Sequence, residues 1–176
     1  MKLLGICASL QARSSNLELL SDAATLMPDG VDFVIYRGLA LLPFFNPDIE
    51  AAGTPTSVAE FRCVLSSADG LFIASPEYGF SLPGCLKNAI DWVIGSGELS
   101  DKPIAVTASV SSPARGQRGL KALLVTLSAV GARIVGGEPI VSGPAARDDL
   151  RTLVAALIDA ASPQTSAQAK PANKKI

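Results

Sequence analysis

Short apolar runs alternate along this chain with longer segments of helical periodicity, and this alternation restricts the fold more than any other feature. Each apolar run is too short to form a helix, so the pattern predicts βαβ units and a parallel sheet. The predicted strands cover residues 2–7, 32–36, 70–74, 104–109 and 132–135. The predicted helices cover residues 15–26, 57–68, 83–94, 118–130 and 148–161.

Five parallel strands with helices on both faces form an open, doubly wound sheet in a three-layer α/β sandwich. For a chain of this length we expect the strand order 2-1-3-4-5. In such sheets a ligand lies outside the carboxyl ends of the strands, where the strand order reverses, which is here between the first and third strands. The predicted site is therefore formed by the loops after strands one, three and four, at residues 8–16, 75–84 and 109–119.

Local signals mark several boundaries of these elements. Ser57 and Glu60 have the spacing of a capping box, and Pro83 fits the first turn of a helix, where its missing N–H costs nothing. Gly131 suits the position just after a helix. The apolar segment 37–46 is interrupted by Pro43, which predicts a packed loop rather than a strand.

Composition limits the chain to one domain and narrows the choice of partners. The 176 residues are 48% hydrophobic with a mean hydropathy of +0.36, which is enough for a single large core. We expect one domain at residues 1–161 and a disordered tail at residues 162–176, where the apolar periodicity stops. With 15 basic and 16 acidic residues, the sequence has no basic run suited to nucleic acid.

The chain contains no histidine, so its chemistry has to rest on other groups or on a bound cofactor. Cys7, Cys63 and Cys85 lack the spacing of metal ligands and are typical of a reduced, cytoplasmic protein. The apolar run 3–8 is shorter than the roughly 7 to 15 residues of a signal peptide. No run approaches the ~20 apolar residues that cross a bilayer, so no membrane partner is expected.

The loop after the first strand, CASLQARSSN at residues 7–16, brings polar groups to the start of a helix. A helix N-terminus presents unpaired N–H groups and a partial positive charge, so it attracts phosphate. Ser9, Ser14, Ser15 and Asn16 can donate hydrogen bonds to such an anion, and Arg13 can add a charge-assisted pair. The alternative is that a serine only caps the helix and Arg13 lies in solvent.

Cys7 and Arg13 also form the pattern C-x5-R-S, which resembles the signature of low-molecular-weight protein tyrosine phosphatases. In that family a thiolate at the base of an anion-binding loop attacks phosphorus. This sequence lacks the Asp-Pro-aromatic element that carries the family's general acid, and its loop lacks the family's glycine and asparagine. A phosphatase using Cys7 and Arg13 is kept as an alternative, and otherwise Cys7 is a small buried hydrophobe.

The loop after the third strand carries the most specific motif. Residues 76–92, PEYGFSLPGCLKNAIDW, resemble the PEYNxSxPGxLKNAIDW motif of the NADPH-dependent FMN reductases, a family of flavodoxin-like fold that includes quinone, azo and chromate reductases. Residues 8–16, ASLQARSSN, are similar to that family's GSLRxxSxN phosphate loop. The order of the predicted elements fits the family from residue 1 to about residue 161.

This resemblance implies cofactor contacts for individual residues. Ser9, Ser14 and Asn16 would hold the FMN phosphate together with Ser15. Arg13 would supply the positive charge, because Gln11 occupies the place of the family's arginine. The residues implied to line the flavin ring and ribityl chain are Pro76, Glu77, Tyr78, Gly79, Phe80 and Ser81.

Two features of these loops depart from the family. Gly79 stands where the family has asparagine, so the loop would hold the ring mainly through its backbone. The third loop, SVSSPARGQRG, lacks the family's glycine-rich stretch. Ser109 would still donate to the ring edge, while Arg115 or Arg118 would face the 2′-phosphate of NADPH or else remain solvated.

The predicted function is that of an FMN-dependent NAD(P)H oxidoreductase, which passes hydride from NADPH or NADH through FMN to a small acceptor such as a quinone. A flavin-binding or redox-sensing protein without turnover is a further alternative. The resemblance also implies a homodimer or homotetramer, in which Trp92 and part of the apolar stripe of its helix would serve the interface. The segment 39–45 would line the same cleft.

Overall fold

The computed structural model describes residues 1–163, and its centre is a five-stranded parallel sheet. The strands of this sheet are β1 (Lys2–Cys7), β2 (Asp32–Tyr36), β3 (Gly70–Ala74), β4 (Pro103–Thr107) and β6 (Arg133–Gly136). Their order is β2-β1-β3-β4-β6, and every neighbouring pair is parallel. The predicted sheet and the predicted order are therefore confirmed, with β6 as the fifth strand of the main sheet.

A second, two-stranded parallel sheet follows β4 and was not predicted. It pairs β5 (Ser109–Val110) with β7 (Ile140–Val141). The predicted fourth strand at 104–109 is wrong in its last residues, because β4 ends at Thr107 and Ser109 already belongs to the small sheet. The third loop thus begins from a strand that lies outside the main sheet.

Residues 1–163 contain six α-helices. They are α1 (Ser15–Ala24), α2 (Pro47–Ala52), α3 (Thr56–Ser66), α4 (Gly84–Asp91), α5 (Gln117–Ala129) and α6 (Ala146–Ala161). Buried residues of α3, α4 and α5 pack on one face, and buried residues of α1 and α6 pack on the other. Along β1, Leu4 and Ile6 belong to the first core while Leu3 and Cys7 belong to the second, so the three-layer sandwich is confirmed.

The helix boundaries correct two of the local predictions and confirm a third. The capping box is wrong, because α3 begins at Thr56, Pro55 is the residue before it, and no side chain caps it. Pro83 precedes the first turn of α4 instead of lying in it. Gly131 follows α5 with a φ of +71°, as expected for a glycine after a helix.

The segment 37–46 is the predicted packed loop, with a short 3-10 turn at Leu39–Leu41. Its anchor is α4: the Asn88 side chain accepts from the Phe45 N–H at 2.7 Å and donates to the Pro43 carbonyl at 2.9 Å. The Trp92 indole N–H donates to the same carbonyl at 2.7 Å. The loop is therefore fixed on the body of the domain.

Trp92 was expected at a subunit interface, but it lies in the interior of this chain. Its side chain is completely buried within this chain, and its ring meets Phe45 edge to face with centroids 5.1 Å apart. The predicted apolar stripe of this helix, Leu86, Ala89, Ile90 and Val93, is buried in the same core. The prediction that these side chains form an interface with a partner subunit is wrong, because the chain's own packing already covers them.

The last helix, α6, ends at Ala161, and the division into a domain at 1–161 and a tail stays a prediction. The tail predicted at 162–176 lies almost entirely outside the described residues, so its disorder stays a prediction. Within residues 1–163, no helix is both long and apolar enough to span a bilayer.

Candidate active site

A cleft with a volume of about 680 Å³ lies where the loops after β1, β3 and β4 meet. We call it the loop cleft. It opens at the carboxyl ends of the strands, at the point between β1 and β3 where the strand order reverses, as the topology predicts. The predicted residues that line it are Ser9, Ser14, Ser15, Asn16, Pro76, Glu77, Tyr78, Phe80 and Ser109.

Three predicted residues do not line the loop cleft, namely Arg13, Gly79 and Ser81. Seven residues line it that were not among the predicted contacts of the flavin: Gln11, Val110, Ser111, Ala114, Arg115, Gly116 and Ser142. Arg115 stands in the third predicted loop, where it was expected to face the 2′-phosphate of NADPH or to remain solvated. Ser142 carried no signal in the sequence, because it follows the short strand β7, which periodicity does not reveal.

The first loop leaves the start of α1 open toward the loop cleft. Ser14 is the residue before the helix, and its carbonyl accepts from the N–H groups of Leu17 and Glu18. Its side chain makes no capping hydrogen bond and is buried, with Oγ 3.9 Å from the Cys7 sulfur. The first N–H groups of α1 therefore stay available for an anion, as in other phosphate-binding helix starts.

Asn16 joins the first loop to the third. Its side chain is 3% exposed, and Oδ1 accepts from the Ser109 N–H at 2.9 Å. This bond uses the amide oxygen, so the side-chain NH2 group is what Asn16 can offer a ligand. The asparagine thus has a structural role beside any role in binding.

Arg13 of the first loop and Arg115 of the third loop lie in different surroundings. Arg13 is exposed and lies outside the lining of the loop cleft, whereas Arg115 lines it. Gln11 also lines it, and its backbone N–H donates to the Ser9 hydroxyl at 3.3 Å. The positive charge that borders the loop cleft therefore comes from the third loop.

The second loop folds back on itself as a tight hairpin. The N–H of Tyr78 donates to the Ser81 carbonyl and the N–H of Ser81 donates to the Tyr78 carbonyl, both at 3.0 Å. Gly79 and Phe80 form the turn with φ values of +56° and +61°. Two successive positive φ values define a type I′ turn, so Gly79 serves the backbone here.

Glu77 fastens this hairpin to α5. Its Oε2 accepts from the Gly119 N–H at 2.8 Å, which places a carboxylate at the positive end of the helix. A Cβ at position 119 would lie 2.9 Å from the Glu77 Cβ, so only glycine permits this approach. Glu77 thus lines the loop cleft with a carboxylate that is already engaged.

The thiols near the first loop behave as hydrogen-bond donors. The Cys7 sulfhydryl donates to the Ser9 carbonyl at 3.5 Å, and the Cys85 sulfhydryl donates to the Ala8 carbonyl at 3.3 Å. Burial raises the pKa of the Cys85 thiol above its ordinary value. A phosphatase needs Cys7 as a thiolate facing an arginine, but Arg13 lies outside the cleft.

The sheet order and the position of the cleft define a flavodoxin-like protein. Flavodoxin 1 from Bacillus cereus shares the fold with a TM-score of 0.61 at 18% identity, over 90% of this chain and 98% of that one. The flavoenzyme FerB of Paracoccus denitrificans, an NAD(P)H:(acceptor) oxidoreductase, has a TM-score of 0.77 and 25% identity over 91% of this chain and 96% of its own.

Sequence comparisons identify the family within this class. The model of the NADPH-dependent FMN reductases matches residues 1–146. An NAD(P)H-dependent FMN reductase of Pseudomonas aeruginosa is 39% identical over 72% of this chain and 71% of its own. A quinone reductase of Escherichia coli K12 is 30% identical over 74% of this chain and 72% of its own.

The chain belongs to the NADPH-dependent FMN reductase family. It is an FMN-dependent NAD(P)H oxidoreductase that reduces a small-molecule acceptor, which confirms the predicted class and both predicted cofactors. The groups that line the loop cleft fit FMN, because the open start of α1 suits the phosphate and the hairpin beside it suits a ring. The comparisons give no support to a phosphatase or to a flavin protein without turnover.

Proposed function

We propose that this chain is a quinone reductase, in which NAD(P)H and a proton reduce a quinone to its hydroquinone and leave NAD(P)⁺. FMN, when bound, supplies the redox chemistry by accepting the hydride and passing on the electron pair. Relatives named quinone reductases support this choice, among them the protein of Pseudomonas putida, which is 37% identical over 65% of this chain. The absence of histidine is no obstacle, since the protein only has to bind, orient and shield the reactants.

The observation that carries the proposal is the open start of α1 at the edge of the loop cleft. We assign the FMN phosphate to the first N–H groups of this helix and to the hydroxyls of Ser9, Ser14 and Ser15, with the Asn16 amide beside them. Phosphate needs positive charge as well. Arg13 was the predicted source, but Arg115 borders the loop cleft and is the better placed of the two.

The second and third loops would hold the flavin ring. Pro76, Glu77 and Tyr78 line the loop cleft next to the end of β3, and Ser109 lines it from the third loop. The Glu77 carboxylate is bound to α5, so its contribution is to fix the loop backbone against which the ring lies. Gly79 and Ser81 would act through the shape of the turn and not by contact.

A reconstitution experiment tests this function. We expect the protein to take up FMN, NADPH to bleach the flavin absorbance, and a quinone to restore it. Protein that takes up no FMN would contradict the whole proposal, and flavin that NADPH cannot bleach would indicate a binder without turnover. Release of phosphate from an aryl phosphate, abolished by Cys7→Ser, would favour the phosphatase instead.

We also propose that the working form is a homodimer or a homotetramer in the cytoplasm. Leu41 and Phe44, in the loop anchored by α4, are 71% and 87% exposed, and large exposed apolar side chains favour association. All three cysteines are unpaired, which suits a reducing compartment.

A further inference from the structure

Phe80 has an unusual backbone conformation for an aromatic residue. Its φ of +61° is in the left-handed region, where a side chain crowds the backbone and glycine or asparagine is preferred. The phenyl group gains little burial in exchange, because 66% of it is exposed. Neither the turn nor the core therefore accounts for a phenylalanine at this position, and such strain at a cleft points to a role in binding.

The Phe80 ring is supported on one face. The guanidinium carbon of Arg118 lies 4.2 Å from the ring centroid, which is a cation–π contact. Arg118 belongs to the first turn of α5, and the start of that helix is tied to the same hairpin through Glu77 and the Gly119 N–H. The ring thus has Arg118 on one face, and Phe80 lines the loop cleft while Arg118 does not.

Few of the residues that line the loop cleft are aromatic. Among its lining residues, Phe80 and Tyr78 are the aromatic ones, and most of the others carry hydroxyl, amide or charged groups. Tyr78 stands at the base of the turn, nearer the end of β3, whereas Phe80 is at the tip. An aromatic surface at the tip, beyond the strand end, is placed for a second reactant rather than for the cofactor that the strand-end loops hold.

We propose that Phe80, backed by Arg118, is the surface on which the electron acceptor stacks, and that it makes the enzyme prefer flat aromatic acceptors to non-aromatic ones. This inference rests on the proposed function, because it requires that electrons reach the acceptor in the loop cleft. Offset stacking between aromatic rings is favourable beyond the area it buries, whereas a compact inorganic complex gains nothing from a phenyl face.

The test compares two acceptors, 1,4-naphthoquinone and ferricyanide, in FMN-loaded wild-type protein and in Phe80→Gly, Phe80→Tyr and Arg118→Gln. Phe80→Gly removes the ring and suits the turn, so it should fold, and its FMN content is measured before each assay. We expect the ratio of its quinone KM to its ferricyanide KM to rise by about fivefold over that of the wild type. Phe80→Tyr should restore the wild-type KM, and Arg118→Gln should raise it by a smaller factor.

Binding of the redox-inert compound 2-naphthol, followed by calorimetry on the same FMN-loaded proteins, gives a readout that does not depend on turnover. Its affinity should fall with Phe80→Gly and return with Phe80→Tyr. Equal quinone KM values in wild type and Phe80→Gly, or an equal loss with both acceptors, would overturn this inference alone. Wild-type protein that binds no FMN would overturn the proposed function as well.

Discussion

Arg115 and Arg13 are exposed cations of neighbouring loops, but only Arg115 borders the loop cleft. A hydrogen bond to a charged group contributes about 1.5 to 3 kcal/mol, and solvent exposure places Arg115 at the lower end of that range. Arg115→Ala should therefore weaken FMN binding roughly tenfold, measured by flavin fluorescence titration. Arg13→Ala is the matched control and should change the affinity by less than about twofold. A larger effect of Arg13→Ala than of Arg115→Ala would show that Arg13 supplies the positive charge at the phosphate.

Position 119 has to be glycine because Glu77 of the hairpin lies very close to it. A methyl group there would meet the Glu77 Cβ at 2.9 Å and its Cα at 3.0 Å. Gly119→Ala should push the hairpin away from α5 and break the Glu77 bond, which costs about 1 to 3 kcal/mol of unfolding free energy in a denaturant titration. Gly84→Ala is the control, since no atom lies within 4 Å of the added methyl at the start of α4. Unchanged stability of Gly119→Ala would mean that the hairpin shifts freely.

Among individual residues, the sequence predicted those whose chemistry is local and missed those whose partners are remote. Ser14 and Asn16 were found because they stand beside a helix start. The bond from Ser109 to Asn16 spans 93 positions and the bond from Gly119 to Glu77 spans 42, so no local pattern encodes them. Arg13 was predicted from a motif, which gives a residue's position in the loop but not the direction of its side chain.

At the scale of elements, long runs were predictable and short ones were not. The five main strands were found because burial on both faces demands continuous apolar runs, as in the fully buried β3 and β4. The two-residue strands β5 and β7 and the six-residue helix α2, which has no buried residue, lack a period long enough to detect. Helix ends were displaced by up to three residues, and the start of α3 moved because the capping box expected there does not form.

A lysine from another part of the chain donates to backbone carbonyls at the end of α3. The Lys102 ammonium donates to the Leu65 and Ala68 carbonyls at 2.8 and 2.5 Å, where the helix leaves its last carbonyls unpaired. Lys102→Met should lower the unfolding free energy by about 1 kcal/mol at neutral pH. Lys121→Met on α5 is the control, because Lys121 is exposed.

The pH dependence of this effect has a definite sign. Burial lowers the pKa of Lys102 below its ordinary value of 10.5. The unfolded chain therefore binds more protons than the folded one as pH approaches 10.5, so the contribution of Lys102 to stability rises with pH in that window. The gap between wild type and Lys102→Met should widen from neutral pH toward that value in urea titrations. A gap that narrows would contradict the assigned burial effect.

At the scale of the whole molecule, the loop with Leu41 and Phe44 presents apolar surface that residues 1–163 leave uncovered. Pro43 between them accepts from Asn88 and Trp92, so the loop is held in place and Phe44 cannot turn inward. Full burial of a Leu or Phe side chain contributes about 1.5 to 3 kcal/mol. A second copy of the chain that covers both residues would gain at least about 3 kcal/mol from them.

The double variant Leu41→Ser, Phe44→Ser should therefore weaken self-association by more than about a hundredfold, and light scattering should show a smaller mass at micromolar concentration. Its fold should persist, because both side chains are solvent-exposed in the single chain. Val125→Ser removes a side chain on α5 that is 70% exposed and should leave the mass unchanged, which controls for a general loss of surface hydrophobicity. A monomeric wild type, or a double variant that stays associated, would contradict this interface. The second outcome would place the contact on another surface, since Trp92 and its helical stripe are already buried in the chain's own core.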